Sequence, residues 1–314
     1  MQGDIKVVAG SSHPELAKSI CAHLGLAVAR SHVVRFANEN LMVQIDENVR
    51  EADVFVIQTS CPPVSDGILE LLITIDALRH ASAARVTAVI PYFPYVRSDK
   101  KDRPRISIAA RLMADLLETA GAKRVLTMDL HAPQVQGFFH VPTDHMNATA
   151  LLCDHLARTR DLRETVLVAG DVGESKDVGR YAKRLGLPIA IVDKRRTGDD
   201  DRAVAVNLIG DVRGKDAILV DDEVATGGTL IEAAKSCLAH GARRVDAVAV
   251  HAVLSGNAVA RIGDSPIQSL VVSDSIPIPA EKRPDWLEIV SVAPILADAI
   301  RAVHEGESVS ELFR

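Results

Sequence analysis

Residues 218–241 read ILVDDEVATGGTLIEAAKSCLAHG. An apolar run, Ile218 to Val220, ends in two adjacent carboxylates, Asp221 and Asp222. A turn of small residues follows (Ala225, Thr226, Gly227, Gly228, Thr229), then a helical run. That order predicts a strand, an acidic edge, a glycine loop and a helix N-terminus. Free backbone N–H groups and the positive end of the helix dipole favour a phosphate there, and glycine lets the backbone come close. The carboxylates repel a phosphate but suit sugar hydroxyls, or a divalent cation, beside it. A phosphorylated pentose satisfies both ends. The plainer alternative is an N-capped helix after a buried strand; VDD directly upstream and TGGT directly downstream weigh against it.

The same alternation runs outward in both directions. Short β-branched runs at 5–9, 53–58, 85–90, 124–129, 165–169, 188–192, 217–221, 245–250 and 268–272 read as strands. Amphipathic stretches lie between them. In 106–120, Ile106, Ala109, Ala110, Met113, Leu116 and Leu117 recur at helical spacing, and Gly121 is placed to end the helix. Strands apolar on both faces that alternate with helices predict an α/β fold with mainly parallel sheets covered on both sides. The 314 residues suit two domains. We place them at 1–146 and 147–314, with a boundary near 143–150 and the last residues free to pack back on the N-terminal domain. GAKRVLTMDLHA at 121–132 is echoed by GARRVDAVAVHA at 241–252, which fits two related domains. The acidic turn GDDDR at 198–202 reads as a solvated hairpin tip.

Composition narrows the function. Aromatic residues make up 3% of the chain, so aliphatic side chains must build the cores. The net charge of −6 argues against a nucleic-acid binder, so a basic cluster is expected to serve a small substrate. Cys21, Cys61, Cys153 and Cys237 show no metal spacing and read as reduced thiols of a cytoplasmic protein. The N-terminus lacks a signal-peptide pattern, and no apolar stretch is long enough to span a membrane.

Four further stretches carry chemistry. PYFPYVRSDKKDRPR at 91–105 sets Arg97, Lys100, Lys101, Arg103 and Arg105 against Asp99 and Asp102. Such a loop is expected to stay outside the core. Its cations suit a polyanion such as a triphosphate, unless they only form a solvated, salt-bridged surface. TMDLHAPQVQGFFH at 127–140 places His131 just past a strand end, where α/β sheets gather ligands. Asp171 follows the strand at 165–169, and DKRR at 193–196 follows the strand at 188–192. Lys194 and Arg196, two apart, share one side of an extended segment. RFANENLMVQIDENVR at 35–50 offers Phe36 as an aromatic face. Phe93, Tyr95, Phe138 and Phe139 gather near these loops, as interface rings or as core filling.

The loop at 218–229 resembles the phosphoribosyl-pyrophosphate loop of type I phosphoribosyltransferases. With the other blocks, the chain from about residue 5 to its C-terminus resembles the ribose-phosphate pyrophosphokinase family. The resemblance implies two phosphoribosyltransferase-like domains and transfer of pyrophosphate from ATP to ribose 5-phosphate, with Mg2+. It implies Lys194 and Arg196 as catalytic residues and His131 and Asp171 as metal ligands. ATP would meet Phe36, Asn38, Glu39, Asn40, Arg97, Ser98, Asp99 and His131. Ribose 5-phosphate would meet Arg196, Asp221, Asp222 and the turn Ala225, Thr226, Gly227, Gly228 and Thr229. It also implies a homo-oligomer, dimer-based and commonly hexameric. The chain departs from the family's patterns at several places. Asn38 and Asn40 replace the acids of RFSDGE, Ser98 and Lys100 replace residues of FxYxRQDR, and Ala225 replaces a common aspartate. VGESKDVGR replaces a glycine-rich GGVKRA segment after Asp171. A non-catalytic paralog and a phosphoribosyltransferase therefore stay open as alternatives.

Overall fold

A computed structural model describes residues 3–171, 173, 175–196 and 204–313. The chain divides into two compact units. The first comprises Met1–Asn147, Ser275–Pro277 and Ser291–Arg314, and the second Ala148–Asp274 and Ile278–Val290. The chain thus re-enters the first unit twice after leaving it.

In the first unit the strands are β1 (Ile5–Ala9), β2 (Val28–Ala29), β3 (Ser31–Arg35), β4 (Leu41–Ile45), β5 (Asp53–Ile57), β6 (Arg85–Ile90), β7 (Arg124–Met128) and β8 (Thr143–Met146). Six of them form a sheet in the order β2-β1-β5-β6-β7-β8, parallel throughout. The other two, β3 and β4, make a separate antiparallel hairpin. Its helices include α1 (Pro14–Leu24), α2 (Val64–His80) and α3 (Ala109–Ala120). DVFVI of β5 is buried at every position, as a strand covered on both faces must be. Local chemistry sets the limits of α1. His13 Nδ1 accepts from the Leu16 N–H at 3.2 Å, Pro14 occupies the first turn, and Gly25 closes the helix at φ 73°.

The second unit holds α4 (Thr149–Thr159), β9 (Thr165–Ala169), α5 (Ser175–Leu185), β10 (Ile189–Arg196), β11 (Val204–Ile209), β12 (Asp216–Glu223), α6 (Gly228–Ala239), β13 (Arg244–His251), α7 (Ala258–Gly263), β14 (Leu270–Ser273) and β15 (Leu287–Val290). Its seven strands run β11-β10-β9-β12-β13-β14-β15, and only the β10–β11 pair is antiparallel. A last helix, α8 (Ala293–Glu305), returns to the first unit and packs on α1.

Several expectations need correcting. The helix read at 106–120 starts at Ala109, after Ser98 Oγ accepts from the Ala109 N–H at 3.3 Å. The strand read at 188–192 extends to Arg196 because β11 pairs along it. The turn at 198–202 lies outside the described residues. The echo at 121–132 and 241–252 joins β7 to β13, which are not equivalent. Counting across each sheet from β1 and from β9, β7 is fourth and β13 third. The echo is a shared helix-to-strand turn, in which Gly121 and Gly241 end helices at φ 123° and 93°.

Candidate active site

The stretch 218–241 folds as read. β12 lies at the centre of the second sheet, between β9 and β13, and carries Asp221 and Asp222 at its C-terminal end. Both are half-buried, and Asp221 Oδ1 accepts from the Glu223 N–H at 3.3 Å. The strand continues to Glu223, so the pleat sends Asp221 and Asp222 to opposite sides of the backbone. Gly227 then turns at φ 74°, and a Cβ there would lie 2.9 Å from Ile262 Cγ1. Only glycine meets both demands. Among the described residues no side chain caps the N-terminus of α6, which suits its first N–H groups to a ligand or solvent. Arg261 on α7 donates from Nη1 to the Thr226 carbonyl at 3.1 Å and steadies the turn.

Strand register gathers the other candidates of this unit at the same sheet edge. Ala169 of β9 pairs with Ile191 of β10 and with Val220 of β12. Two residues further along each strand come Asp171, Asp193 and Asp222, and Lys194 follows next on β10. Asp171 is half-buried, and its Oδ1 accepts from the Gly173 N–H at 2.7 Å. The backbones of Lys194 and Arg196 lie in the antiparallel part of β10, opposite Val206 and Val204.

The first unit holds the other set. Phe36 is 47% exposed at the tip of the β3–β4 hairpin. The tip is closed by Phe36 N–H to the Asn40 carbonyl at 2.9 Å and Glu39 N–H to the Phe36 carbonyl at 2.8 Å. Asn38 Oδ1 accepts from the Asn40 N–H at 3.2 Å, and Glu39 sits at φ 67°. In the loop 91–105 the expectation of exclusion from the core fails for the first half. Pro91, Phe93, Pro94 and Val96 are buried, because apolar residues alternate into the core before the charges begin. Phe93 packs edge-on against Phe139 with ring centroids 5.7 Å apart, so these rings fill core, whereas Tyr95 is exposed. Arg97, Lys100, Lys101, Arg103 and Arg105 all reach solvent. Ser98 Oγ donates to the Ser107 carbonyl, so its hydroxyl serves the start of α3.

His131 is exposed just beyond β7, on the segment that turns into a 3-10 helix at Pro133–Phe138. From that helix Gln134 donates through Nε2 to Asp99 Oδ2 at 2.5 Å, tying the cationic loop to the His131 segment. Two neighbours escaped the sequence reading. Asp129 is buried at φ 37°, and its Oδ1 accepts from Asn147 Nδ2 at 2.6 Å. The signal available was a carboxylate at a strand end two residues before a histidine.

Cysteine chemistry has no foothold in either set. Burial pushes the Cys21 and Cys237 thiols up to about 11 and Cys153 to about 12; burial, with Glu70 nearby, also raises Cys61. Magnesium keeps waters and substrate oxygens and needs only one or two protein groups. The half-buried Asp171 carboxylate, just past β9, fits that demand, and His131 lies exposed just past β7 in the other unit.

Two parallel α/β units with an acidic strand edge running into a glycine turn define a phosphoribosyltransferase-like protein. Comparison with known proteins narrows this. Residues 5–121 match the family described as the N-terminal domain of ribose phosphate pyrophosphokinase, and residues 199–314 match the phosphoribosyl synthetase-associated domain. A ribose-phosphate pyrophosphokinase of Caldanaerobacter subterraneus is 48% identical over 98% of this chain and 98% of its own length. That of Clostridium acetobutylicum is 46% identical over 99% of this chain and 98% of its own. The crystal structure of phosphoribosylpyrophosphate synthetase from Mycobacterium smegmatis superimposes with a TM-score of 0.91 at 40% identity, covering 96% of this chain and 99% of that one. The chain belongs to the ribose-phosphate pyrophosphokinase family.

Proposed function

We propose that the protein makes phosphoribosyl pyrophosphate and AMP from ribose 5-phosphate and ATP. The observation that carries this reading is the 48% identity along 98% of the chain to a ribose-phosphate pyrophosphokinase, joined to a strand-to-helix turn at 221–229 that carries Asp221, Asp222 and the Gly227–Gly228 pair. The anomeric hydroxyl attacks the β-phosphorus of ATP, a new O–P bond forms, and the bond to the AMP oxygen breaks. Alignment and charge neutralisation do most of such work. The Gly227–Gly228 turn and the start of α6 hold the 5-phosphate, while Asp221 and Asp222 hold ribose hydroxyls. Phe36, Asn38, Glu39, Asn40, Arg97, Ser98, Asp99 and His131 take the nucleotide. Lys194 and Arg196 stabilise charge on the transferring group. His131 and Asp171 would hold Mg2+, which neutralises polyphosphate charge when bound.

The protein is further read as a cytoplasmic homo-oligomer, which sedimentation at micromolar concentration tests. No helix among the described residues is long and apolar enough to cross a membrane. The decisive assay incubates the protein with ATP, Mg2+ and ribose 5-phosphate and separates the nucleotides. AMP is expected only when the sugar phosphate is present. ADP would refute pyrophosphoryl transfer. No product from folded protein would favour the non-catalytic paralog, whose support is Asn38, Asn40, Ser98 and Ala225.

A further inference from the structure

The end of β8 grips the segment that leads to His131. β7 and β8 run parallel, with Thr127 beside His145 and Met128 beside Met146. Past that pairing the contacts pass to side chains. The Asp129 N–H still reaches the Met146 carbonyl at 3.0 Å, but the Leu130 N–H donates to His145 Nε2 at 2.8 Å. Asn147 Nδ2 donates to Asp129 Oδ1 at 2.6 Å. His145 in β8 and Asn147 just past its end meet successive residues of the turn, Leu130 and Asp129. The turn needs holding, because Asp129 sits at φ 37°, a region that side-chain-bearing residues rarely adopt without support.

A backbone N–H needs a lone pair, which His145 Nε2 supplies. Nδ1 of the same ring lies 3.3 Å from Gln136 Nε2. Gln136 belongs to the same 3-10 helix as Gln134, which holds Asp99. One imidazole therefore touches both the segment before His131 and the helix that anchors the cationic loop.

We propose that His145 and Asn147 are positioning residues for the nucleotide half of the reaction. They fix the Asp129–His131 turn so that His131 stands where ATP and its metal arrive; this rests on the reading of His131 given above. Neither side chain is assigned a substrate contact. A reacting group displaced by about 1 Å loses on the order of 100-fold in rate, so a slack turn is expected to show clearly.

The test compares wild type, His145→Ala, His145→Gln and Asn147→Ala by steady-state AMP formation and by calorimetric binding of magnesium-ATP and of ribose 5-phosphate. Glutamine places an acceptor oxygen near the position of Nε2, so it separates the hydrogen bond from the ring. His145→Ala and Asn147→Ala are expected to weaken magnesium-ATP binding and lower turnover, each by about 10-fold or more. Ribose 5-phosphate binding should change by less than about 2-fold, and His145→Gln should recover most of the loss. If His145→Ala does not fold, Asn147→Ala and His145→Gln carry the same comparison. The proposal is overturned if alanine variants match wild type, if both substrates weaken equally, or if glutamine fails as badly as alanine. A wild-type chain that makes no AMP removes the synthetase reading and this proposal with it.

Discussion

Glu39 occupies a left-handed backbone position, φ 67°, at the tip of the β3–β4 hairpin, where the family pattern RFSDGE has glycine. Left-handed geometry costs a side-chain-bearing residue roughly 1–2 kcal/mol, and glycine's extra unfolded-state freedom offsets only about half of that relief. Glu39→Gly is therefore expected to raise stability by about 0.5 kcal/mol; a lower melting temperature would contradict it. Side-chain chemistry makes sharper demands elsewhere. Asp221→Asn and Asp222→Asn should each weaken ribose 5-phosphate and leave ATP affinity nearly intact, since a charged hydrogen bond contributes roughly 1.5–3 kcal/mol. Asp221 already engages the Glu223 N–H, and the two carboxylates leave opposite sides of β12, so unequal losses are expected. Separate calorimetric titrations decide this, and equal loss of both substrates would indicate a shared metal role. Lys194→Ala should lower turnover by about 10² to 10³ with little change in substrate binding. Unchanged turnover removes Lys194 from the mechanism.

Among the elements, those with strong local signals were legible in the sequence. IKVVA, DVFVI, RVTAVI, RVLTM and TVLVA are apolar runs, and all became strands of the sheets. The strand–turn–helix at 218–239 was legible because its acids, glycines and helix start are contiguous. The hairpin β3–β4, the short strands β8 and β15, and β11 were not read as strands. Ser31–Arg35 and Thr143–Met146 mix polar and apolar residues without a clean buried run, and pairing with the next or preceding strand makes them extended. His145 and Asn147 were missed for the same reason. A network at the far end of the second sheet is equally silent in sequence. Glu288 on β15 accepts from Arg160 and lies 2.9 Å from His155 Nε2. Partial burial pushes its carboxyl up, but the hydrogen bonds from Arg160 and His155 outweigh that and hold it below the ordinary range. A lowered folded value stabilises above the ordinary carboxylate range and is lost as pH falls through it. Glu288→Gln should thus melt lower than wild type at neutral pH, and the difference should vanish in acid. A gap that persists in acid would show the loss to be packing rather than charge.

For the whole molecule, chain order and spatial order diverge at the C-terminus, and the consequence can be measured. The sequence leaves the last residues free to pack back on the N-terminal domain without fixing which element they meet. In the structure α8 belongs to the first unit and lies against α1, with Arg301 Nη2 donating to the His23 carbonyl at 3.2 Å. Asp53, fully buried at the start of β5, takes Arg85 through two hydrogen bonds of 2.7 and 2.5 Å and meets His304 Nδ1 at 2.9 Å. Arg85 Nη2 also donates to the Val303 carbonyl at 3.1 Å. Leu296, Ile300 and Val303 are buried, and each such side chain contributes about 1.5–3 kcal/mol on leaving water. Three of them approach the whole stability of an ordinary domain, about 5–15 kcal/mol. Residues 1–147, though nearly a contiguous unit in sequence, are therefore expected not to fold alone. The fragment should lack a cooperative thermal transition by circular dichroism, and so should the full chain cut after Val290 in its first-unit signals. Adding residues 291–314 back to the fragment as a peptide should restore the transition, because it returns the apolar face of α8 and the His304 partner of Asp53. A fragment 1–147 that melts cooperatively at the full chain's temperature would show that α8 decorates the first unit rather than completing it.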